Sequence, residues 1–388
     1  MVLKAGVAPD DSAPFAGLIA AIAAVSIAGT GLSLSIPLIA LRMEQAGYSG
    51  EANGAGIAVA GLSTLLFAPF VPFLTKRLGM TRFMLGSLIV AILSLLAFAA
   101  TASDLRWWWP LRGLFSCALT GMFVASEFAV NALAPAKRRG MWIGIYSTSL
   151  ALGFAAGPLI LHFAGNDGNL PFFVGAVLFA AAGAPVILGG DRLPEVSHGA
   201  KSSLFAYVRQ APGLMSAAFV FGAIETGAMG LLPVHALRNG FSAETGALFV
   251  AALAVGNMVF QIPMGLLSDR APRRALLLLV AACATLGAVV LAGLTHSAAF
   301  VPVLVIWSGI TSGLYMVGLA ELGSRYKDGD LAAANAAFVS AYASGMILGP
   351  PAVGRALDAL PGTGLFLSLA ALAALTLIIQ IARRLGAR

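Results

Sequence analysis

The feature that most constrains this chain is that it runs through the same apolar pattern twice. Residues 30–42 read TGLSLSIPLIALR and residues 226–238 read TGAMGLLPVHALR. Thr30, Gly31, Pro37, Ala40, Leu41 and Arg42 thus recur as Thr226, Gly227, Pro233, Ala236, Leu237 and Arg238, with the prolines 196 residues apart. A second echo, GxxxGP, stands at Gly153, Gly157 and Pro158 and again, 192 residues on, at Gly345, Gly349 and Pro350. Two parallel halves in an apolar chain are the plan of a membrane protein with a central path between the halves.

Composition fits that plan. The chain is 59% hydrophobic and 10% charged, with a mean hydropathy of +0.93, well beyond a soluble globular domain. Apolar stretches of about 20 residues cross a bilayer as helices. Breaks at charges, Gly/Pro clusters and polar turns delimit twelve of them, near 15–41, 52–75, 82–103, 106–133, 140–164, 170–190, 212–236, 244–267, 274–295, 298–322, 331–357 and 361–383. The expectation is an all-α polytopic membrane protein of two pseudo-symmetric six-helix bundles, residues 1–190 and 212–388. The polar stretch 191–211 then joins them as a cytoplasmic tether, with a short amphipathic helix around Leu204 to Arg209. Segment 1 is too long for a signal peptide, and Asp10 and Asp11 precede it where a basic region would stand, so it is expected to persist.

The net charge of +7 does not point to nucleic acid, because of where the charges fall. Threading twelve spans puts 18 of the 23 Lys and Arg residues on one side, leaving Arg42, Arg106, Arg112, Arg238 and Arg355 towards the other. This positive-inside bias predicts both termini in the cytoplasm, and for a bacterial chain the inner membrane. Trp107, Trp108 and Trp109 then form an aromatic anchor at the outer interface. Cys117 and Cys283 have no metal-type spacing and read as inert thiols. The four histidines (His162, His198, His235, His296) are scattered, and His235, near the outer end of its segment, reads as solvated. No nucleophile–base spacing appears, so an enzyme is not expected, nor a metal or cofactor. No GxxxxGK[ST] loop is present, so any transport draws on a gradient.

Several motifs carry a family likeness. GLLSDRAPRR, Gly265 to Arg274, is similar to the GxLaDrxGrr loop of the major facilitator superfamily, with Asp269, Arg270, Arg273 and Arg274 in register and Pro272 in place of a glycine. Its N-terminal counterpart, PFLTKRLGMTR at Pro72 to Arg82, carries Lys76 and Arg77, with Lys76 where a carboxylate is usual. Gly144, Gly153, Gly157 and Pro158 fit G(x8)G(x3)GP, which resembles the antiporter motif of that family, although Leu161 and His162 replace its closing glycines. Arg112 resembles the family's basic residue in the fourth helix. The chain most resembles the YcaD-like branch, which implies a monomeric transporter working by alternating access. In that fold helices 1, 4, 7 and 10 line the central cavity.

Physical readings stand beside the likeness. Small residues let helices approach closely and a Gly-Pro step bends them, so Gly144, Gly153, Gly157, Pro158, Gly345, Gly349 and Pro350 read as hinges and sliding surfaces of the two halves. Asp269 with its arginines reads as a latch for one conformation, against the alternative of a solvated basic loop. An ionisable side chain at mid-bilayer costs about 2.5–3.5 kcal/mol and calls for a reason. Glu225, Glu127 and Arg112 are therefore the candidates for proton coupling or substrate binding, with Arg112 able to snorkel to the outer interface. A carboxyl group in low dielectric favours its protonated form, which suits reversible proton binding. The alternative for Glu127 is a structural hydrogen bond to Asn131, a turn away. Glu321 with Arg325 reads as a gate pair or a solvated helix end. Ser33, Thr226, Met229, Tyr146 and Tyr315 are the cavity candidates, each with an ordinary packing role as the alternative.

The function expected is secondary transport of a small molecule across the lipid bilayer, as proton-coupled efflux of a cationic or amphipathic compound. Proton-coupled uptake of a metabolite or metal ion is the alternative. Carboxylates without an intramembrane basic cluster favour cationic cargo by charge complementarity.

Overall fold

The computed structural model describes residues 13–45, 50–101, 105–164, 168–195, 204–360 and 362–385. Asp10, Asp11, His198 and residues 196–203 of the polar stretch lie outside the described residues, as do the side chains of Pro158, Leu161 and His162. Helices make up nearly all of the rest. They are α1 (Ala13–Gln45), α2 (Gly50–Phe67), α3 (Val71–Leu78), α4 (Met80–Ala100), α5 (Trp108–Leu133), α6 (Arg139–Ala164) and α7 (Leu170–Gly189), then α8 (Leu204–Gln210). The second half holds α9 (Pro212–Arg238), α10 (Ala243–Arg270), α11 (Arg273–Leu294), α12 (Phe300–Arg325), α13 (Asp328–Ala359) and α14 (Gly364–Leu385).

With α2 and α3 taken together these give twelve spans and one short connecting helix. Eleven are long and apolar enough by length and composition to cross a membrane, and α6, 26 residues long, is the twelfth. The second span is broken, where the hydropathy pattern predicts one helix over 52–75. A 3-10 turn at Ala68–Phe70 separates α2 from α3, because Pro69 and Pro72 withhold two backbone donors. Gly79, at φ +82°, then ends α3 and opens α4 in a left-handed conformation that suits glycine.

Each half packs on the same plan. In the first bundle α1 lies against α6 and α7, and in the second α9 lies against α13 and α14. The repeated glycines make these two contacts. A Cβ on Gly153 would strike Ser26 O, and one on Gly157 would meet Ser33 Oγ and Leu34 N. On Gly345 it would strike Phe219 O, and on Gly349 Ala223. Four of the glycines read as sliding surfaces between the halves thus lock helices inside one half. Gly144 alone of that set faces the other bundle, its Cβ position 2.8 Å from Gln261 O on α10. Gly140 and Gly265, face to face across the same contact, complete it.

The repeated arginines also do one job twice. Arg42, near the end of α1, donates to Gly168 O at the turn between α6 and α7. Arg238, ending α9, donates to Leu357 O at 3.0 Å and Asp358 Oδ1 at 2.7 Å, in the last turn of α13. Each ties off its own bundle.

Three local expectations are corrected. Trp108 is not an interfacial anchor: its ring sits edge-on to Phe98 and Phe172 at 5.2 and 5.9 Å, while Trp107 stays exposed. His235 is fully buried rather than solvated, with Nε2 3.3 Å from Thr295 Oγ1 and its ring edge-on to Phe366. The linker is more than a passive tether. Tyr207 of α8 is buried, donates to Asp330 Oδ1 at 2.5 Å and meets the Tyr326 ring edge-on at 5.3 Å.

Candidate functional site

The two bundles meet through α6 against α10 and α2 against α13, with α5 touching α12 and α13. Serine and threonine hydroxyls inside the spans are mostly spent on their own helix. Thr226 donates to Gly222 O at 2.6 Å, and Ser33 to Thr30 O at 3.1 Å and Gly153 O at 3.4 Å. Such bonds satisfy a donor in an apolar surrounding. Ser33 therefore belongs to the α1–α6 contact rather than to a cavity wall. Met229 is 41% exposed on α9.

The carboxylates behave otherwise. Glu127 on α5 is 5% exposed, and its Oε1 accepts a hydrogen bond from Tyr315 on α12 at 2.6 Å. Glu225 on α9 accepts from Tyr342 on α13, also at 2.6 Å. The Tyr315 and Tyr342 rings meet at 5.3 Å and 70°, and Phe221 packs on both, at 5.8 and 6.1 Å. Phe338 closes the other side of Tyr315 at 4.9 Å. Two acids joined through an aromatic wall therefore stand between the bundles. Tyr146 of α6 is buried beside Glu127, close enough to interact electrostatically. The Tyr146 hydroxyl and Glu127 Oε2 have no well-formed hydrogen bond among the described residues, and the Asn335 side chain of α13 lies close to that carboxylate. A buried phenol and a carboxylate oxygen in that state are groups that a proton, a water or a cationic substrate would satisfy.

Some expected partners differ. Asn131 does not bond Glu127: its Nδ2 donates to Leu319 O on α12 at 3.0 Å. Arg112 does not snorkel outward. At 7% exposure it is enclosed in the first bundle, and the structure does not bring it to the two acids. Glu321 accepts from Arg325 at 2.8 Å and lies 3.6 Å from Arg274. All three belong to the second bundle, so this is an internal brace and not a bolt between halves.

Asp269 makes a contact between the halves. Its Oδ1 and Oδ2 accept from Gly140 N at 2.7 Å and Met141 N at 2.9 Å, in the first turn of α6. Arg273 steadies it at 3.1 Å, while Arg270 is exposed. The carboxylate thus caps a helix of the other bundle, satisfying orphan amides at the positive end of its dipole. Lys76 and Arg77 on α3 are exposed. α13, one of the helices that α3 touches, carries Asp328 and Asp330 in its own first turn.

Sequence reasoning missed Tyr342, Phe221 and Asn335. Tyrosine in an apolar span reads as packing, and only the Tyr315–Tyr342 pairing with two glutamates gives it a role. Elsewhere, an apolar groove of about 600 Å³ opens between Leu65 of α2, Phe205 of α8, Phe219 of α9 and Ser340 of α13. No charged residue lines it.

Comparison with known proteins agrees with this architecture. The family model described as Major Facilitator Superfamily matches residues 21–350, and again 214–386. The chain is 29% identical over 355 residues to the uncharacterized MFS-type transporter YfkF of Bacillus subtilis, covering 88% of this chain and 89% of the relative. It is 24% identical over 287 residues to the MFS-type transporter YcaD of Salmonella enteritidis, covering 72% and 73%. The solved structure of the E. coli fucose:proton symporter FucP superposes with a TM-score of 0.76 at 15% identity, covering 94% of this chain and 98% of that one. By family model, relatives and fold together, the chain belongs to the Major Facilitator Superfamily of membrane transporters.

Proposed function

We propose that this transporter moves a small cationic or amphipathic molecule across the bacterial inner membrane in exchange for protons, as a monomer with both termini cytoplasmic. The observation that carries the reading is the pair of glutamates, Glu127 buried and Glu225 half-buried, each held by a tyrosine at 2.6 Å around a shared aromatic wall. Carboxylates in low dielectric attract either a proton or a cation, and competition between the two is the chemistry of exchange. Aromatic faces beside them add attraction for an organic cation. The 18 Lys and Arg residues on one side support the orientation. The hydrogen bonds described between the bundles fall in the half of the molecule nearest α8: Asp269 to α6, Asn131 to Leu319, Tyr315 to Glu127 and Asn335 to Val124. That half is cytoplasmic in this orientation, so we assign the conformation as outward-facing.

The test is proton release on addition of tetraphenylphosphonium to the purified protein in weak buffer. Release in the wild type that is abolished in Glu225→Gln supports exchange at a carboxylate. Uptake of protons together with a neutral solute would instead favour symport, the activity named for FucP. If Glu225→Gln and Glu127→Gln both leave pH-driven transport intact, neither carboxylate couples.

A further inference from the structure

The two glutamate–tyrosine bonds have equal length but join different bodies. Tyr342 and Glu225 both belong to the second bundle, on α13 and α9. Those helices are locked together where Gly345 and Gly349 press on Phe219 and Ala223. Tyr315 and Glu127 belong to opposite bundles. Their bond lies in a seam with two others, Asn335 Nδ2 to Val124 O at 3.2 Å and Asn131 Nδ2 to Leu319 O at 3.0 Å. Positions 124, 127 and 131 share one face of α5, so the three bonds form a row along a single helix surface. Rigid-body rocking of one bundle against the other breaks every bond in that row and leaves the Glu225 pair assembled.

We infer that the two carboxylates have separate tasks: Glu127 with Tyr315 is a bolt of the closure nearest α8, and Glu225 with Tyr342 stays assembled through the cycle as the cargo-binding group. The inference rests on the transport reading above and divides its labour. The titratable groups facing Glu127 are the phenols of Tyr146 from α6, Tyr315 from α12 and, further off, Tyr342 from α13. A hydrogen bond to an ionised carboxylate is roughly twice as strong as one to a neutral acceptor. Adding a proton to Glu127 therefore weakens the bolt, and acid shifts the population towards opening at that end. Among the described residues Glu225 bonds only within its own bundle, to Tyr342, and exerts no such pull.

Spin labels at Lys137 and Lys327, both exposed and in opposite bundles near α8, report that opening by pulsed electron paramagnetic resonance in lipid nanodiscs. In the wild type the separation should lengthen on moving from alkaline to acidic pH. Glu127→Gln and Tyr315→Phe should be shifted to the longer separation at alkaline pH and should not respond further. The phenylalanine keeps the ring packed on Phe221 and Phe338, which guards against simple misfolding. Glu225→Gln and Tyr342→Phe should keep the wild-type response while tetraphenylphosphonium affinity falls by about tenfold, as the coulombic attraction of a correctly held carboxylate for the cation is lost. A Glu127→Gln protein that retains the pH response, or a Glu225→Gln protein that loses it, overturns the division. The distance measurement needs no cargo. Failure to bind any cation would thus sink the cationic-substrate reading while the role of Glu127 is still decided.

Discussion

At the scale of single residues, the repeated glycines show how little room this fold leaves. A methyl group on Gly345 would occupy the position of Phe219 O, and one on Gly349 would press on the Ala223 backbone. Gly86, by contrast, has open space around its Cβ position. Overpacking in a tight contact typically costs about 1–3 kcal/mol, so Gly345→Ala should lower the thermal unfolding midpoint by several degrees and Gly86→Ala should leave it unchanged or slightly raised. Unfolding of detergent-solubilised protein followed by intrinsic fluorescence checks both. The GxxxGP spacing was legible in the sequence, but which neighbour it touched was not. A small residue announces close approach without naming the partner, and here the partner is α1 for the first pair and α9 for the second, each within the glycines' own bundle. His235 shows the same limit: a histidine near a span end reads as wet until the packing of Phe366 encloses it.

At the scale of helices, the N-termini of α6 and α13 are furnished differently. Asp269 caps α6 of the opposite bundle, while the N-terminus of α13 is furnished by its own Asp328 and Asp330 and held by Tyr207 of α8. Removing the charge from a helix cap typically costs about 1 kcal/mol. Asp269→Asn should therefore lengthen the Lys137–Lys327 label separation. Twelve spans and their approximate ends were readable from hydropathy. The break between α2 and α3 was readable in principle from Pro69 and Pro72. The docking of α8 was not, since its amphipathic pattern over seven residues is too short to specify a partner.

At the scale of the whole molecule, orientation and bundle geometry make their own prediction. If the proposed orientation holds, a cysteine replacing exposed Asn169, between α6 and α7, should react with a membrane-impermeant maleimide on intact cells. One replacing exposed Lys137, between α5 and α6, should react only after lysis. The reverse pattern would invert the topology and with it the outward-facing assignment. The all-α membrane fold and the family were legible from the residues alone, because hydropathy, turn residues and motif spacing are properties of one segment at a time. Which polar groups meet was settled by packing. Glu127 and Tyr315 lie 188 positions apart, and Asp269 reaches amides more than a hundred residues away. Contacts of that kind depend on the rotation of each helix about its axis and on the seating of one bundle against the other. Neither quantity is encoded in the polarity of the residues themselves.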